Sequence, residues 1–228
     1  MRQLPVMLFA AGFGTRMGAL TAHHPKPMVH VAGKPLIDHA LALTDAAGLT
    51  DITVNLHYRG DQIVRHLHNR KIKFSNETSQ ILETGGGLKA AASLLGQSPV
   101  FTLNTDAVWT GENPLTQLLE AWEPDRMDAL LLLLPANQAL GHSGTGDFLI
   151  NDAGQISRAK GAKGPIYLGA QILKTETVSA MSKTVFGLNT IWDQMIAEGR
   201  AYGLMHNGGW CDVGRPEGIK LAEDLLHV

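Results

Sequence analysis

The sequence predicts an α/β protein of one domain: a Rossmann-like, mostly parallel sheet with helices on both faces and a more mixed second half. Three observations predict it. Short, continuous apolar runs recur at residues 5–11, 52–56, 100–103 and 129–134, as strands buried on both faces require. Segments of helical periodicity separate them. A glycine-rich turn at Gly12–Phe13–Gly14 follows the first run directly.

Taken in order, residues 5–11 read as the first strand and 12–18 as a loop of phosphate size. Pro25 and Pro27 exclude an ordinary helix across the next stretch. Residues 36–47 carry Leu36, Ala40, Leu43 and Ala47 on one helical face, with Gly48 as the stop. A second strand at 52–56, a helix at 61–67 and a more polar strand at 71–76 follow. Gly85–Gly87 opens a helix running to about residue 95, and a strand at 100–103 ends in Asn104–Thr105–Asp106. A helix at 113–122 leads to a strand at 129–134. Beyond it the pattern predicts a hairpin of 146–150 with 155–158, a long strand at 165–173, a helix at 185–197, a strand at 201–206 and a closing helix at 216–226. We find no internal repeat. One domain is expected over 1–228, in two approximate halves, 1–110 and 111–228, with no clean cut between them.

Composition narrows the function. Of 228 residues 44% are hydrophobic, enough for a sizeable core, and 18% are charged. The formal net charge of -2 does not steer the chain toward nucleic acid or an anionic membrane, and no obligate protein partner is indicated. A single cysteine, Cys211, allows no intrachain disulfide, and the apolar run at 4–11 is too short for a signal peptide, so the expected location is the cytoplasm. The ten histidines are scattered without metal-ligand spacing.

In sheets of this kind ligands bind beyond the carboxyl ends of the strands. The glycine loop and Asp106 both stand at such ends. Glycines bring backbone amides close to a ligand, consecutive amides cradle phosphate oxygens, and Arg16 adds a charge-assisted donor. A Walker loop is excluded because no Gly-Lys-Ser/Thr follows. A dinucleotide fingerprint fits badly because the loop leads into a proline-broken stretch rather than a helix. Read alone, the loop is equally a tight turn beside a surface arginine, and Lys26 a solvated lysine. Asp106 at a strand end and Asp212, among the glycines of Gly208–Gly214, are candidate Mg²⁺ ligands, since Mg²⁺ takes a few carboxylate oxygens together with substrate phosphates. Turn or helix capping is the competing reading for both.

Ala10–Ala11–Gly12–Phe13–Gly14–Thr15–Arg16–Met17, followed by His24–Pro25–Lys26–Pro27–Met28, resembles the signature of the sugar-phosphate nucleotidyltransferases. The resemblance extends to the Asp212 turn, and it implies an approximate nucleotide-binding half at 1–110 and a sugar-binding and closing half at 111–228. It is strongest for the small N-acetylmuramate 1-phosphate uridylyltransferase branch, through Glu83–Thr84–Gly85–Gly86 and Gly144–Thr145–Gly146–Asp147–Phe148. It implies that Ala11, Gly12, Gly14 and Thr15 wrap the nucleotide, that Arg16 and Lys26 act on the phosphates, and that Asp106 and Asp212 hold Mg²⁺, with Asp106 also in the catalytic set. Gln80, Glu83 and Gly85 are placed near the nucleotide or sugar. Asp147 and Gly169 are placed on the sugar side, with backbone capping equally open to Glu83 and Asp147; Asn104 is read as orienting Asp106 or contacting the sugar, a satisfied structural side chain being equally open. The sequence departs from the family pattern at Thr105, where many relatives carry glycine, and its Cβ is expected to crowd the metal or ribose. Lys160 and Lys163 match no family lysine.

The implied activity is Mg²⁺-dependent transfer from a nucleoside triphosphate, UTP first among the candidates, to a sugar 1-phosphate, N-acetylmuramate 1-phosphate first among these. Such a product belongs to cell-wall (peptidoglycan) recycling. Another hexose 1-phosphate, phosphocholine with a cytidine nucleotide, and a nucleotide-sensing protein without turnover are the alternatives.

Overall fold

The computed structural model describes residues 4–77 and 80–227. The order of elements begins with β1 (Val6–Phe9), β2 (His30–Val31), β3 (Lys34–Pro35), α1 (Leu36–Ala46), β4 (Ile52–Leu56), α2 (Gly60–His66) and β5 (Ile72–Asn76). It continues with α3 (Glu83–Ala90), α4 (Ala92–Leu95), β6 (Val100–Asn104), β7 (Ala107–Trp109), α5 (Pro114–Ala121), β8 (Ala129–Pro135) and β9 (Ala139–Leu140). The hairpin β10 (Phe148–Ile150) and β11 (Ile156–Arg158) precedes β12 (Pro165–Leu173), α6 (Glu176–Ala180), α7 (Leu188–Ala197), β13 (Ala201–Met205), β14 (Trp210–Asp212) and α8 (Glu217–Leu226).

Seven strands form the central sheet in the order β13-β8-β12-β6-β1-β4-β5. All run parallel except β12, which is antiparallel to both neighbours. Alternation along β1 explains why helices cover both faces. Val6 and Leu8 point to a core shared with Ile37 and Leu41 of α1, Ile63 of α2 and Leu118 of α5. Met7 points the other way, to a core shared with Leu88 of α3, Val178 of α6 and Ile191 of α7. Each such side chain is buried and contributes about 1.5–3 kcal/mol relative to exposure. A small sheet in the order β7-β14-β9 carries a third core, in which Val108, Cys211 and Val213 meet Met17, Val31 and Ala222 of α8.

Several expected boundaries move. The polar strand starts at Ile72 rather than residue 71, and the helix expected at 61–67 starts at Gly60. The helix expected to reach 95 breaks at Ala91 into α3 and α4. The helix expected from 185 starts at Leu188, because the preceding residues lie against α3: Phe186 N–H donates to Leu82 O (3.2 Å) and Gly86 N–H donates to Phe186 O (2.9 Å). The proline-broken stretch folds as two 3₁₀ turns, Thr15–Thr21 and Lys26–Met28, the first interrupted at Gly18. Among the described residues no helix is long and apolar enough to cross a membrane.

Candidate active site

The carboxyl ends of β1, β4 and β6 meet at a cleft of about 220 Å³ lined by the glycine loop, Lys26, Asn55, Glu77 and Asp106, among others. The loop leaves β1 with its first amide held: Ala10 N–H donates to Asn55 Oδ1 at 2.7 Å. Gly14 then turns with φ 66°, and a Cβ there would lie 2.8 Å from Lys26 Cβ. Only glycine lets the loop lie on the lysine stem in this way. Thr21 Oγ1 donates to Gly14 O (2.9 Å) and locks the turn. Ala11 and Gly12 line the cleft, whereas Thr15 and Arg16 are exposed and do not line it.

Pro25 and Pro27 hold Lys26 in a short 3₁₀ turn, where it is buried. Its Nζ donates to Asp106 Oδ2 at 2.7 Å, across 80 residues of sequence. Asp106 follows the end of β6, and Asp212 ends β14, whose antiparallel pairing sets Asp212 opposite Ala107. Val213 N–H donates to Asp106 O (2.8 Å), which fixes the register. The two carboxylates therefore occupy neighbouring positions. Burial and then the charge of Asp106 raise the pKa of Asp212, while Lys26, Arg16 and His142 oppose the rise. Gly214 keeps this corner clear, for a Cβ there would lie 2.6 Å from Asp212 Oδ2 and 3.2 Å from Arg16 Nη2. Arg16, Lys26, Asp106 and Asp212 thus converge, although they come from four separate segments.

The donor set fits a divalent cation shared with a polyphosphate. Among the described residues no group of three or more His, Cys, Asp or Glu gathers. Mg²⁺ needs no such cage, because one or two carboxylates with substrate phosphates and water complete its shell. The two partly buried carboxylates, the charge of Asp106 raising the pKa of Asp212, are the feature that a cation would relieve.

Thr105 serves as a clasp: it is buried, and its hydroxyl donates to Phe9 O (2.8 Å), tying the ends of β6 and β1. Asn104 lines the cleft and lies over Gly169, where β12 bulges with φ 85°. A Cβ at Gly169 would lie 2.7 Å from Asn104 Nδ2. Glu83 lines the cleft with φ 61°, a left-handed backbone unusual for a side-chain-bearing residue. Gly85 faces protein instead: a Cβ would meet the Phe186 ring at 2.5 Å, so its glycine is explained by packing. Gln80 is exposed and does not line the cleft, where Ile81 stands instead. Asp147 is also outside it, its Oδ2 accepting Tyr167 N–H (2.9 Å) and tying the β10 strand to β12. Nearby, Gly144, Thr145 and Lys163 border a larger hollow of about 710 Å³ with Pro135 and Met205. Lys160 is exposed with φ 49°.

Sequence reasoning missed Asn55, Glu77 and His142. An asparagine in the otherwise amide-free strand Ile52–Leu56 was the available signal for Asn55, which is buried. His142 is close enough to Asp212 to influence its charge, and its buried Nε2 has no hydrogen-bond partner among the described residues.

The model of the MobA-like NTP transferase domain matches residues 6–142. An N-acetylmuramate alpha-1-phosphate uridylyltransferase of Caulobacter vibrioides is 39% identical, over 99% of both chains. A protein of the same name from Neisseria meningitidis is 31% identical over 97% of this chain and 98% of its own. Among solved structures, HddC from Yersinia pseudotuberculosis complexed with GMP-PN superposes with a TM-score of 0.79 over 97% of this chain and 98% of its own, at 21% identity, a likeness of fold. The chain therefore belongs to the sugar-phosphate nucleotidyltransferases, within the family of the MobA-like NTP transferase domain.

Proposed function

We propose that the chain transfers the uridylyl group of UTP to N-acetylmuramate 1-phosphate, releasing pyrophosphate and forming the UDP-sugar. The observation that carries the reaction class is the convergence of Lys26, Asp106, Asp212 and Arg16 beside the glycine loop. The choice of substrates is supported by the two relatives that match over nearly the whole chain.

In this reading an oxygen of the acceptor phosphate attacks the α-phosphorus of UTP. A P–O bond forms there as the bond to the β-phosphate breaks, and the electron pair leaves with pyrophosphate. A phosphate monoester has its second pKa near ~6, so the nucleophile is already anionic and no strong base is needed. Amides of the loop at 11–14 receive the triphosphate. Arg16, beside Asp212, offsets charge on the leaving pyrophosphate, and Lys26 offsets charge on the reacting phosphates. Asp106 and Asp212 would hold Mg²⁺, which supplies charge neutralisation and alignment when bound. The hollow beside Thr145 and Lys163 opens at the carboxyl ends of β8 and β13 and would receive the sugar.

The test is pyrophosphate release across a matrix of nucleoside triphosphates and acceptors, with Mg²⁺ and with EDTA. Metal-dependent release greatest for UTP with N-acetylmuramate 1-phosphate is expected. Preference for another pair would reassign the substrates. Nucleotide binding without release from any pair, phosphocholine included, would convert the reading to a nucleotide sensor.

A further inference from the structure

The acid Glu77 is only 3% exposed, and neither of its oxygens is free. Oε1 accepts from Asn55 Nδ2 (2.7 Å), and Oε2 accepts from Leu82 N–H (3.0 Å). Asn55 passes the connection on, because its own Oδ1 accepts from Ala10 N–H. The main chain of Glu77 is held as well: its N–H donates to Leu56 O (2.8 Å), and its carbonyl meets the Nδ1 edge of His57. The His57 ring in turn stands edge-on to Phe13 of the glycine loop, with centroids 5.2 Å apart. One buried carboxylate thus ties the root of the glycine loop to the segment that carries Ile81 and Glu83 on the opposite wall.

Burying a carboxylate costs several kcal/mol unless its oxygens are satisfied, and a hydrophobic residue would pack there at lower cost. What the carboxylate holds is informative. Leu82 is gripped at both ends, by Glu77 at its N–H and by Phe186 N–H at its carbonyl. The next residue is Glu83, with its left-handed backbone. Such a conformation is strained and persists where surrounding structure imposes it, often at ligand-binding sites. Gly87 completes the arrangement, since a Cβ there would lie 2.6 Å from Glu77 Oε1.

We propose that Glu77 and Asn55 are positioning residues for nucleotide selection: together they hold the 81–83 wall at a fixed distance from the glycine loop, so that only the fitting nucleoside is gripped. This rests on the reading that the cleft holds a nucleotide. Both residues line the cleft, and their role in this scheme runs through the two loops that they hold, Asn55 through Ala10 and Glu77 through Leu82.

The hydrogen-bond pattern supplies its own test. In Glu77→Gln an amide donor faces either Asn55 Nδ2 or Leu82 N–H, so one of the two connections is lost. In the double variant Asn55→Asp/Glu77→Gln all three return with one reversed: Asp accepts from Ala10 N–H and from the Gln amide, whose oxygen accepts from Leu82 N–H. Equilibrium dissociation constants for UTP, CTP and GTP are measured on the full chain, with KM for N-acetylmuramate 1-phosphate and a melting curve. Glu77→Gln is expected to weaken UTP about tenfold and to compress its preference over the other nucleotides at least threefold, with the acceptor KM moving less. The double variant is expected to recover both affinity and preference. A folded Glu77→Gln with UTP affinity and preference within twofold of wild type overturns the proposal, as does equal weakening of nucleotide and acceptor. If Glu77→Gln does not fold, Asn55→Ser is judged by the same two criteria. Wild-type protein that binds no nucleotide would sink the nucleotide reading, and this inference with it.

Discussion

Replacing Gly214 by alanine puts one methyl group into the corner where Asp212 and Arg16 meet. The new Cβ would lie 2.6 Å from Asp212 Oδ2, whereas ordinary contact begins at 3.4 Å, so the carboxylate must retreat by about 0.8 Å. Arg16 Nη2, at 3.2 Å, must also give by a few tenths of an ångström. The neighbours are side-chain ends rather than backbone, so the fold accommodates the change and the loss falls on geometry. Misplacing a reacting group by 1 Å costs on the order of 10²-fold in rate, or about 2.7 kcal/mol of barrier. We therefore expect kcat/KM for Gly214→Ala to fall roughly 30- to 100-fold. The Mg²⁺ concentration for half-maximal activity should rise, with a melting temperature close to wild type. Pyrophosphate release under a Mg²⁺ titration, beside a melting curve in EDTA, measures all three. Activity and Mg²⁺ dependence within twofold of wild type in a folded variant would refute the assignment of Asp212 to the metal.

Asp106→Asn and Lys26→Met should each lower kcat/KM by about 10²–10³-fold, the usual cost of one preorganised electrostatic partner, in the same release assay. Asp212→Asn should show a conflict between stability and function. The raised pKa of Asp212 means that its stability contribution is present below the ordinary carboxylate range and lost as pH rises through the folded value. In EDTA at pH 8 the variant should therefore melt above wild type, the gap closing toward acid, while metal-dependent turnover disappears. Asp128 predicts the opposite slope far from the cleft. The Arg200 hydrogen bond, assisted by Lys174, lowers its pKa below 3.8, so its contribution is present above that value and lost as pH falls through the folded one. Acid melting series should be flatter in Asp128→Asn than in wild type over that window. Gly169→Ala combines a φ of 85° with a Cβ 2.7 Å from Asn104 Nδ2, and should lower both the melting temperature and kcat/KM.

The parts of this molecule that are local in sequence were legible before the structure. Strands at Ile52–Leu56 and Pro165–Leu173 fall at the expected residues, because continuous apolar runs between turn signals leave little choice. The Lys26 and Asp106 motifs could be read singly, but not that they form one ion pair, since 80 residues intervene. The β7-β14-β9 sheet escaped notice because its strands are two or three residues long and carry no periodicity. Gly85 is the instructive case. A glycine at a helix start suggests amides open to a ligand, yet what lies against it is Phe186, a partner 101 positions further on that no local pattern announces. Asn55 and Glu77 were unreadable for the same reason: their meaning lies in the hydrogen bonds that join them across three segments.

The reversed strand has a consequence for how the protein is made. β12 lies between β8 and β6, so until residue 173 has been synthesised β8 has no bonded link to the sheet that β1, β4, β5 and β6 can already form. A nascent chain that has reached residue 142, the end of the matched family region, would therefore present β8 unpaired on both sides and β6 on one, open to pairing with other chains. β14 arrives later still, bringing Asp212 to Asp106. The protein thus acquires its second carboxylate only after the sheet that supports the first has been closed, and a partly synthesised chain lacks the completed centre.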